Sequence, residues 1–368
     1  MQGLLGKPLG RVHWSNKAAK TGPLAHRPDN SAFMQQRLPA WSPMLTTSTV
    51  LPFMYCMAVL CLVVGVSLLI TVQGTQEMKL DYTEAGTCNN CFQSLKNVSN
   101  AGKSCSCRVV FTLEHEFKGD VFFYYGLQNF HQNLRKYMDS RDDAQMVGRK
   151  QNLKNPSSYC EPYIRDEKDV PIAPCGAVAN SMFNDSFALQ YQGQPGDPIN
   201  TVPLYRKGIA WYTDENVKFR NPPKNKSQTL AQVFEGTTSP PYWQKPVYLL
   251  DPLDATNNGF INEDLIVWMR EAAFPNFKKL YGVLVRTQEP FTNGLPAGNY
   301  SIDIVYNFPV QYFKGRKQVV LSTVTWFGGQ NRFLPIAYLV TSGLVFIIAI
   351  FLTVIWWKFG KDAKNMNE

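Results

Sequence analysis

A two-pass membrane protein carrying a large, disulfide-bonded, antiparallel β-rich (α+β) ectodomain is the class this sequence predicts. Three observations lead there. Two long charge-free apolar runs lie near the ends of the 368-residue chain. Six of the eight cysteines and all four Asn-x-Ser sequons fall between those runs. The intervening stretch reads as short alternating or aromatic strands bounded by Gly, Pro and Asn.

The apolar runs extend from Thr49 to Val72 and from Phe333 to Trp357. Each exceeds the roughly 20 residues that a helix needs to cross the hydrocarbon layer, and neither keeps the polar stripe of a soluble core helix. Trp356 and Trp357 suit the headgroup layer, and Lys358 can extend its ammonium into water. The tail ahead of the first run is too long for a cleaved signal peptide, so that run reads as a signal anchor. Residues 1–48 carry Lys7, Arg11, Lys17, Lys20, Arg27 and Arg37 against Asp29, and residues 358–368 carry Lys358, Lys361 and Lys364 against Asp362 and Glu368. Positive flanks stay cytosolic, so both ends are expected there, with residues 73–332 outside. The tails supply most of the net charge of +9. The basic balance is therefore a topology signal, and no nucleic-acid partner is expected.

Within residues 73–332, strands are expected over Cys107–Leu113, Val121–Leu127, Val247–Leu250, Tyr300–Tyr306 and Val319–Trp326. Helices are expected over Phe130–Ser140 and Glu263–Tyr281, the second capped by Asn262 and interrupted by Pro275. In the first tail, Phe33 and Trp41 stand among turn formers, which points to docking on a partner or on the membrane surface.

Cys88-x2-Cys91 followed by Cys105-x-Cys107 superficially resembles zinc spacing, but a pair one residue apart fits a tetrahedral site poorly. Two nested disulfides, Cys88–Cys107 and Cys91–Cys105, form in one antiparallel crossing, and Cys160–Cys175 closes a further loop. Cys56 and Cys61 lie in the first span as apolar filler. The sequons make Asn97, Asn184, Asn225 and Asn299 the expected glycan sites. Asp254 to Asp264 imitates a calcium loop through Gly259, but Thr256 and Leu265 stand where ligands are needed, so an Asn-Gly turn leading into a helix is the better reading. Two lone ectodomain histidines, His115 and His131, and the absence of hydrolase, zincin or phosphate-loop motifs give no support for catalysis or a cofactor. Gly65 and Ser67 in the first span, and Thr341, Ser342 and Gly343 in the second, are the small or polar residues expected to carry helix packing.

Many words in one order resemble a single family. Arg27-Pro28-Asp29-Asn30 and Gln35-Gln36-Arg37-Leu38-Pro39-Ala40-Trp41 precede the first span. Phe123-Tyr124-Tyr125-Gly126-Leu127, Pro171-Ile172-Ala173-Pro174-Cys175-Gly176 and Asn180-Ser181-Met182-Phe183-Asn184-Asp185 follow, then Gly208-Ile209-Ala210-Trp211 and Lys218-Phe219-Arg220-Asn221-Pro222-Pro223. Asn257 to Asp264 and Tyr306-Asn307-Phe308-Pro309-Val310 complete the set. Together they resemble the cell-division-cycle-fifty, or transmembrane protein thirty, family of accessory β-subunits of type-IV P-type ATPases, the phospholipid flippases. The resemblance runs from Arg27 to Trp357.

It implies a non-catalytic β-subunit in a heterodimer with the ATPase. That subunit supports folding, exit from the endoplasmic reticulum and aminophospholipid transport from the outer to the cytosolic leaflet. The expected locations are the endoplasmic reticulum, Golgi, secretory vesicles and plasma membrane. Arg27, Pro28, Asp29, Asn30, Phe33, Arg37, Leu38, Pro39 and Trp41 become candidate partner contacts. The first 26 residues have no counterpart in this pattern, and the Cys91–Cys105 loop is long and carries Asn97, features of a divergent paralogue. The competing readings are a two-span ligand-gated channel subunit, against which the charge-free spans argue, and a cell-surface adhesion or receptor module.

Overall fold

The computed structural model describes residues 31–39, 46–96, 104–193, 196 and 198–365, with 360–365 as backbone alone. Its two long helices are α1, Thr47–Gln73, and the last element, Phe333–Asn365. They pack against each other and leave most of their apolar length uncovered. Only 22% of the most apolar window of the first and 11% of that of the second is buried, which a soluble core helix would not tolerate. They are membrane-spanning helices.

The ectodomain between them is built on two antiparallel sheets. The first has the strand order β1 (Glu77–Asp81), β11 (Arg316–Thr323), β4 (Val121–Gln128), β8 (Phe277–Leu284), β7 (Leu204–Tyr205). The second runs β2 (Cys105–Leu113), β10 (Gly298–Tyr306), β5 (Ser186–Gln192), β6 (Asn200–Thr201). A small ribbon joins β3 (Phe117–Lys118) to β9 (Gly294–Leu295). Alternation decides which faces meet. Val121, Phe123, Tyr125 and Leu127 of β4 point inward, as do Tyr300, Ile302, Ile304 and Tyr306 of β10. Phe187 of β5 closes the gap between sheets, its ring centroid 5.5 Å from that of Phe123 and 5.0 Å from that of Tyr281. Because β1 and β11 pair in the register Glu77↔Ser322, the chain leaves α1 and re-enters the last helix from one edge of one sheet.

Four expected elements differ, each for a tertiary reason. Val247–Leu249 is a 3-10 turn: only Val247 is buried, and the flanking Pro246 and Pro252 leave no room for a ladder. The helix that opens at Glu263 is α3 (α2 being Cys88–Ser94), and it ends at Met269. Residues from Phe277 onward instead pair with β4 as strand β8. Phe130 does not lie on a helix face; its ring meets those of Tyr137, Trp268, Phe277, Phe308 and Phe313, and helix is confined to Arg135–Met138. Strand β11 stops at Thr323, where Thr325 and Gly328 close a turn with Gly328 at φ +105°. Asn262 caps α3 as expected, its Oδ1 accepting from Leu265 N at 3.0 Å.

Candidate partner interface and ectodomain pocket

The two spanning helices pack along one side of the first, where Leu51, Ala58, Cys61, Gly65 and Leu68 are buried. A side-chain carbon placed on Gly65 would stand 3.0 Å from Leu339, so glycine there sets how closely the helices approach. Ser342 Oγ donates to the Ala58 carbonyl at 2.7 Å, and Tyr55 and Thr353 share a 2.9 Å hydroxyl contact. Of the other expected packing residues, Ser67 bonds within its own helix to Val63, while Thr341 and Gly343 face outward. Their outward position leaves them for the lipid or a partner helix.

Among the tail candidates, Phe33, Arg37, Leu38 and Pro39 lie on an exposed turn held by Ser31 and Ala32 carbonyls, with Phe33 72% exposed. Arg27, Pro28, Asp29, Asn30 and Trp41 lie outside the described residues. The ectodomain aromatics divide. Tyr125 is core, stacked on Phe183 at 4.0 Å, and Trp243 is half-buried with its indole donating to Ala179 O. Trp211, Tyr212, Tyr242 and Trp326 are exposed.

The cysteines stand in the pairs Cys88–Cys107, Cys91–Cys105 and Cys160–Cys175. The first two tie α2 to the edge strand β2, so a helix that is too short to hold itself is fixed covalently to the sheet. Among the described residues no cluster of His, Cys, Asp and Glu is placed to hold a metal. In the calcium-like loop the carboxylates diverge, Asp254 to Lys207 and Asp264 to Arg206. His115 and His131 are exposed.

Of the sequon residues, Asn97 lies outside the described residues and Asn225 is exposed. Asn299 is half-buried on β10, its Oδ1 accepting from Thr112. Asn184 lies beside a buried ion pair that sequence reasoning missed. Lys317 has no exposed surface and donates to Asp185 Oδ2 at 2.6 Å and to the Phe308 carbonyl at 2.8 Å, under the Tyr306 ring. Asp185 also accepts from Tyr82 OH and from the backbone amides of Asn307 and Phe308. Burial pushes the Lys317 ammonium down to about 8, while Asp185 pulls it back up. Burial, reinforced by Asp185, also holds the Tyr82 hydroxyl well above its usual value. The pair spans 132 residues of sequence, and no local signal marks it.

Two further polar devices organise the neighbourhood. The Glu263 carboxylate accepts from the backbone amides of Gly208, Ile209 and Ala210, which accounts for the run Gly208-Ile209-Ala210. Lys279 Nζ donates to the carbonyls of Val267, Trp268 and Arg270 at the end of α3, and burial pushes its ammonium down to about 7.

Next to Asn184 a half-open cavity of about 330 Å³ lies between the sheets and the Trp243–Lys245 loop. Arg206 lies against the Tyr281 ring and gives one guanidinium nitrogen to Asp264 and another to Tyr281 OH. Among the described residues its Nε has no partner, and neither do Asn184 Oδ1 and Asn307 Oδ1; all three atoms are buried in residues that line this cavity. A buried polar group left without a partner costs about 1–3 kcal/mol, so these atoms are places where a water or ligand atom is favoured.

A pair of spanning helices that leaves its outer faces apolar, joined to a cross-linked two-sheet head, defines a two-pass membrane protein with a large ectodomain. Residues 53–362 match the model of the LEM3 (ligand-effect modulator 3) family / CDC50 family. The chain belongs to that family. It is 49% identical over 354 residues to mouse "Cell cycle control protein 50A", covering 95% of this chain and 93% of that protein. It is 47% identical over 348 residues to human "Cell cycle control protein 50B", covering 94% and 97%. It is 34% identical over 334 residues to Arabidopsis thaliana "ALA-interacting subunit 3", covering 90% and 86%. The match to the mouse protein leaves out fewer than 26 residues of this chain, so similarity reaches into the first 26 residues, which were expected to have no counterpart.

Proposed function

We propose that the chain is the non-catalytic β-subunit of a phospholipid-translocating P-type ATPase. It supports the ATPase's folding and exit from the endoplasmic reticulum, and its transport of aminophospholipids toward the cytosolic leaflet. The observation that carries this reading is the family match over nearly the whole chain, together with a plant relative whose name makes it an interacting subunit. The two helices fit the role, because most of their apolar surface remains for another membrane protein or lipid to cover. Phe33, Leu38 and the exposed ectodomain aromatics Trp211 and Tyr242 supply contacts on both sides of the bilayer, and linked contacts reinforce one another. Both termini lie in the cytosol, and the three disulfides belong to an oxidising compartment.

Affinity purification of the full chain from cells in mild detergent tests this. A P-type ATPase is expected in the complex, with loss of that ATPase from the cell surface and of aminophospholipid uptake when the chain is depleted. Recovery without any P-type ATPase, or ion currents from the purified chain alone in bilayers, would replace this reading with the receptor or the channel alternative.

A further inference from the structure

The cavity beside Asn184 lies in the ectodomain, between the sheets and the Trp243–Lys245 loop. We infer that it is the seat of the first N-acetylhexosamine of a glycan carried on Asn184, so that this sugar is a packed part of the ectodomain. The inference rests on the reading that residues 73–332 face a glycosylating compartment.

The first argument is position. Asn184-Asp185-Ser186 is a sequon whose asparagine lines the cavity wall, and among the described residues Asn184 Oδ1 has no hydrogen-bond partner. The backbone at this point is held from several sides. Asp185, the next residue, is held by Lys317, Tyr82 and two backbone amides, and Asn307 Nδ2 donates to the Asn184 carbonyl at 3.1 Å. A sugar joined to Asn184 Nδ2 would therefore begin from a fixed point, and its effective concentration in the adjoining cavity would be high.

The second argument is chemistry. Around the cavity the unanswered groups are one donor, Arg206 Nε, and two acceptors, Asn184 Oδ1 and Asn307 Oδ1. A neutral acetamido sugar supplies a carbonyl for the donor and an amide N–H and hydroxyls for the acceptors. Its axial C–H face suits an aromatic wall, which the half-buried Trp243 provides. The guanidinium of Arg206 is already neutralised by Asp264, so a neutral ligand leaves no charge uncompensated there. At about 330 Å³ the cavity admits one sugar ring and no extended chain. The contrast with Asn225 is direct, because that sequon stands exposed on a turn.

The test uses the full chain from glycosylating cells, purified under native conditions. Site-resolved glycopeptide mass spectrometry first reads which sequons are occupied: Asn184 empty beside an occupied Asn225 overturns the seat alone, whereas no glycan at any of the four sequons overturns the compartment reading. With Asn184 occupied, native treatment with a glycan-releasing amidase should free the Asn225 glycan at least about tenfold faster than that on Asn184, because a packed first sugar is reached only on local opening. Equal release at the two sites would overturn the seat while leaving occupancy intact, and would assign the cavity to ordered water. Trp243→Ala should then raise release at Asn184 to the Asn225 rate. Because that variant also removes the bond to Ala179, Ser186→Ala provides a gentler arm. It deletes the sugar and leaves Asn184 in place, and it should lower the melting temperature where Ser227→Ala does not. Equal melting of the two serine variants would contradict the seat.

Discussion

In the ectodomain Lys317 is wholly enclosed by Asp185, Tyr306 and the Phe308 carbonyl, rings interlock across the sheet gap, and three disulfides close its loops. In the membrane pair, two helices of similar apolar content touch through Gly65, Ser342 and Tyr55 and leave Val59, Val63, Ile347 and Phe351 uncovered. The difference follows from the solvent. Water drives the head to enclose its own apolar groups, whereas lipid offers an apolar side chain nothing to escape from, so the helices are held by close approach and a few hydrogen bonds. The head thus encloses its own core, and the anchor leaves much of its apolar surface uncovered. Perturbations in the head should be large and should register as unfolding; those in the anchor should be small and should register as separation.

The largest effect is expected at the buried pair. Lys317→Met leaves Asp185 charged and enclosed, with only Tyr82 and two amides to answer it, and breaking such a pair costs about 3–5 kcal/mol. Denaturant unfolding of the ectodomain, followed by tryptophan fluorescence, reads it directly. A loss below roughly 1 kcal/mol would mean that the pair is dispensable. Next comes the nested disulfide: Cys91→Ser with Cys105→Ser reopens a loop of 14 residues' separation, worth about 3 kcal/mol in chain entropy. The outer bridge Cys88–Cys107 remains in that variant and keeps α2 on the sheet. The double variant should therefore melt lower yet keep its fold, and outright loss of secrétion-competent protein would show that the inner bridge is needed to form the sheet.

These two sites also separate what could be read from the sequence from what could not. The spans are legible because length and lack of charge are properties of a continuous segment, and the nested bridges because four cysteines lie within 20 residues of sequence. The Asn262 cap is legible for the same local reason. Phe130, Lys279 and Val247 mislead because their placement answers to neighbours distant in sequence: an aromatic cluster for Phe130, three carbonyls of α3 for Lys279 in a strand, and bracketing prolines for Val247. The cavity carries no sequence signal except the sequon at its wall, because its orphaned atoms come from Asn184, Arg206 and Asn307, on three separate segments.

Lys279 gives a smaller and pH-dependent effect within the head. Its ordinary value is 10.5 and its folded value about 7, lowered by burial and by Arg270 against the pull of Glu271. Below pH 7 both folded and unfolded chains hold the proton, and the buried charge is a constant penalty. From pH 7 upward the unfolded chain keeps a proton that the folded chain releases, so stability rises with pH by up to about 1.4 kcal/mol per unit from this residue. Lys317 adds its own rise only above about 8. Lys279→Met should therefore flatten stability between pH 7 and 8 and reduce the rise above 8 to the part that Lys317 contributes. It should also cost about 1–3 kcal/mol near neutral pH, because the carbonyls of Val267, Trp268 and Arg270 lose their donor. An unchanged slope between pH 7 and 8 would show that Lys279 keeps its proton in the fold.

The smallest effects belong to the anchor, and they sharpen the comparison most. Ser342→Ala removes one hydrogen bond to the Ala58 carbonyl, and such bonds between membrane helices are worth about 0.6 kcal/mol. Gly65→Leu does more, because the new side chain meets Leu339, whose backbone nitrogen would stand only 3.2 Å from the added Cβ, and the helices must part to admit it. Neither change touches the head, which should unfold at the same denaturant concentration as the parent. Cross-linking of cysteines introduced at Tyr55 and Thr353, side chains now in hydroxyl contact, reports helix separation in the membrane. The yield should fall slightly for Ser342→Ala and strongly for Gly65→Leu. If the ATPase covers the outer faces of the pair, its presence should restore the yield for Ser342→Ala, since added contacts hold both helices in place. It should not restore Gly65→Leu, where the obstruction lies between the helices. Loss of ectodomain stability in either variant would show that anchor and head share their cohesion after all.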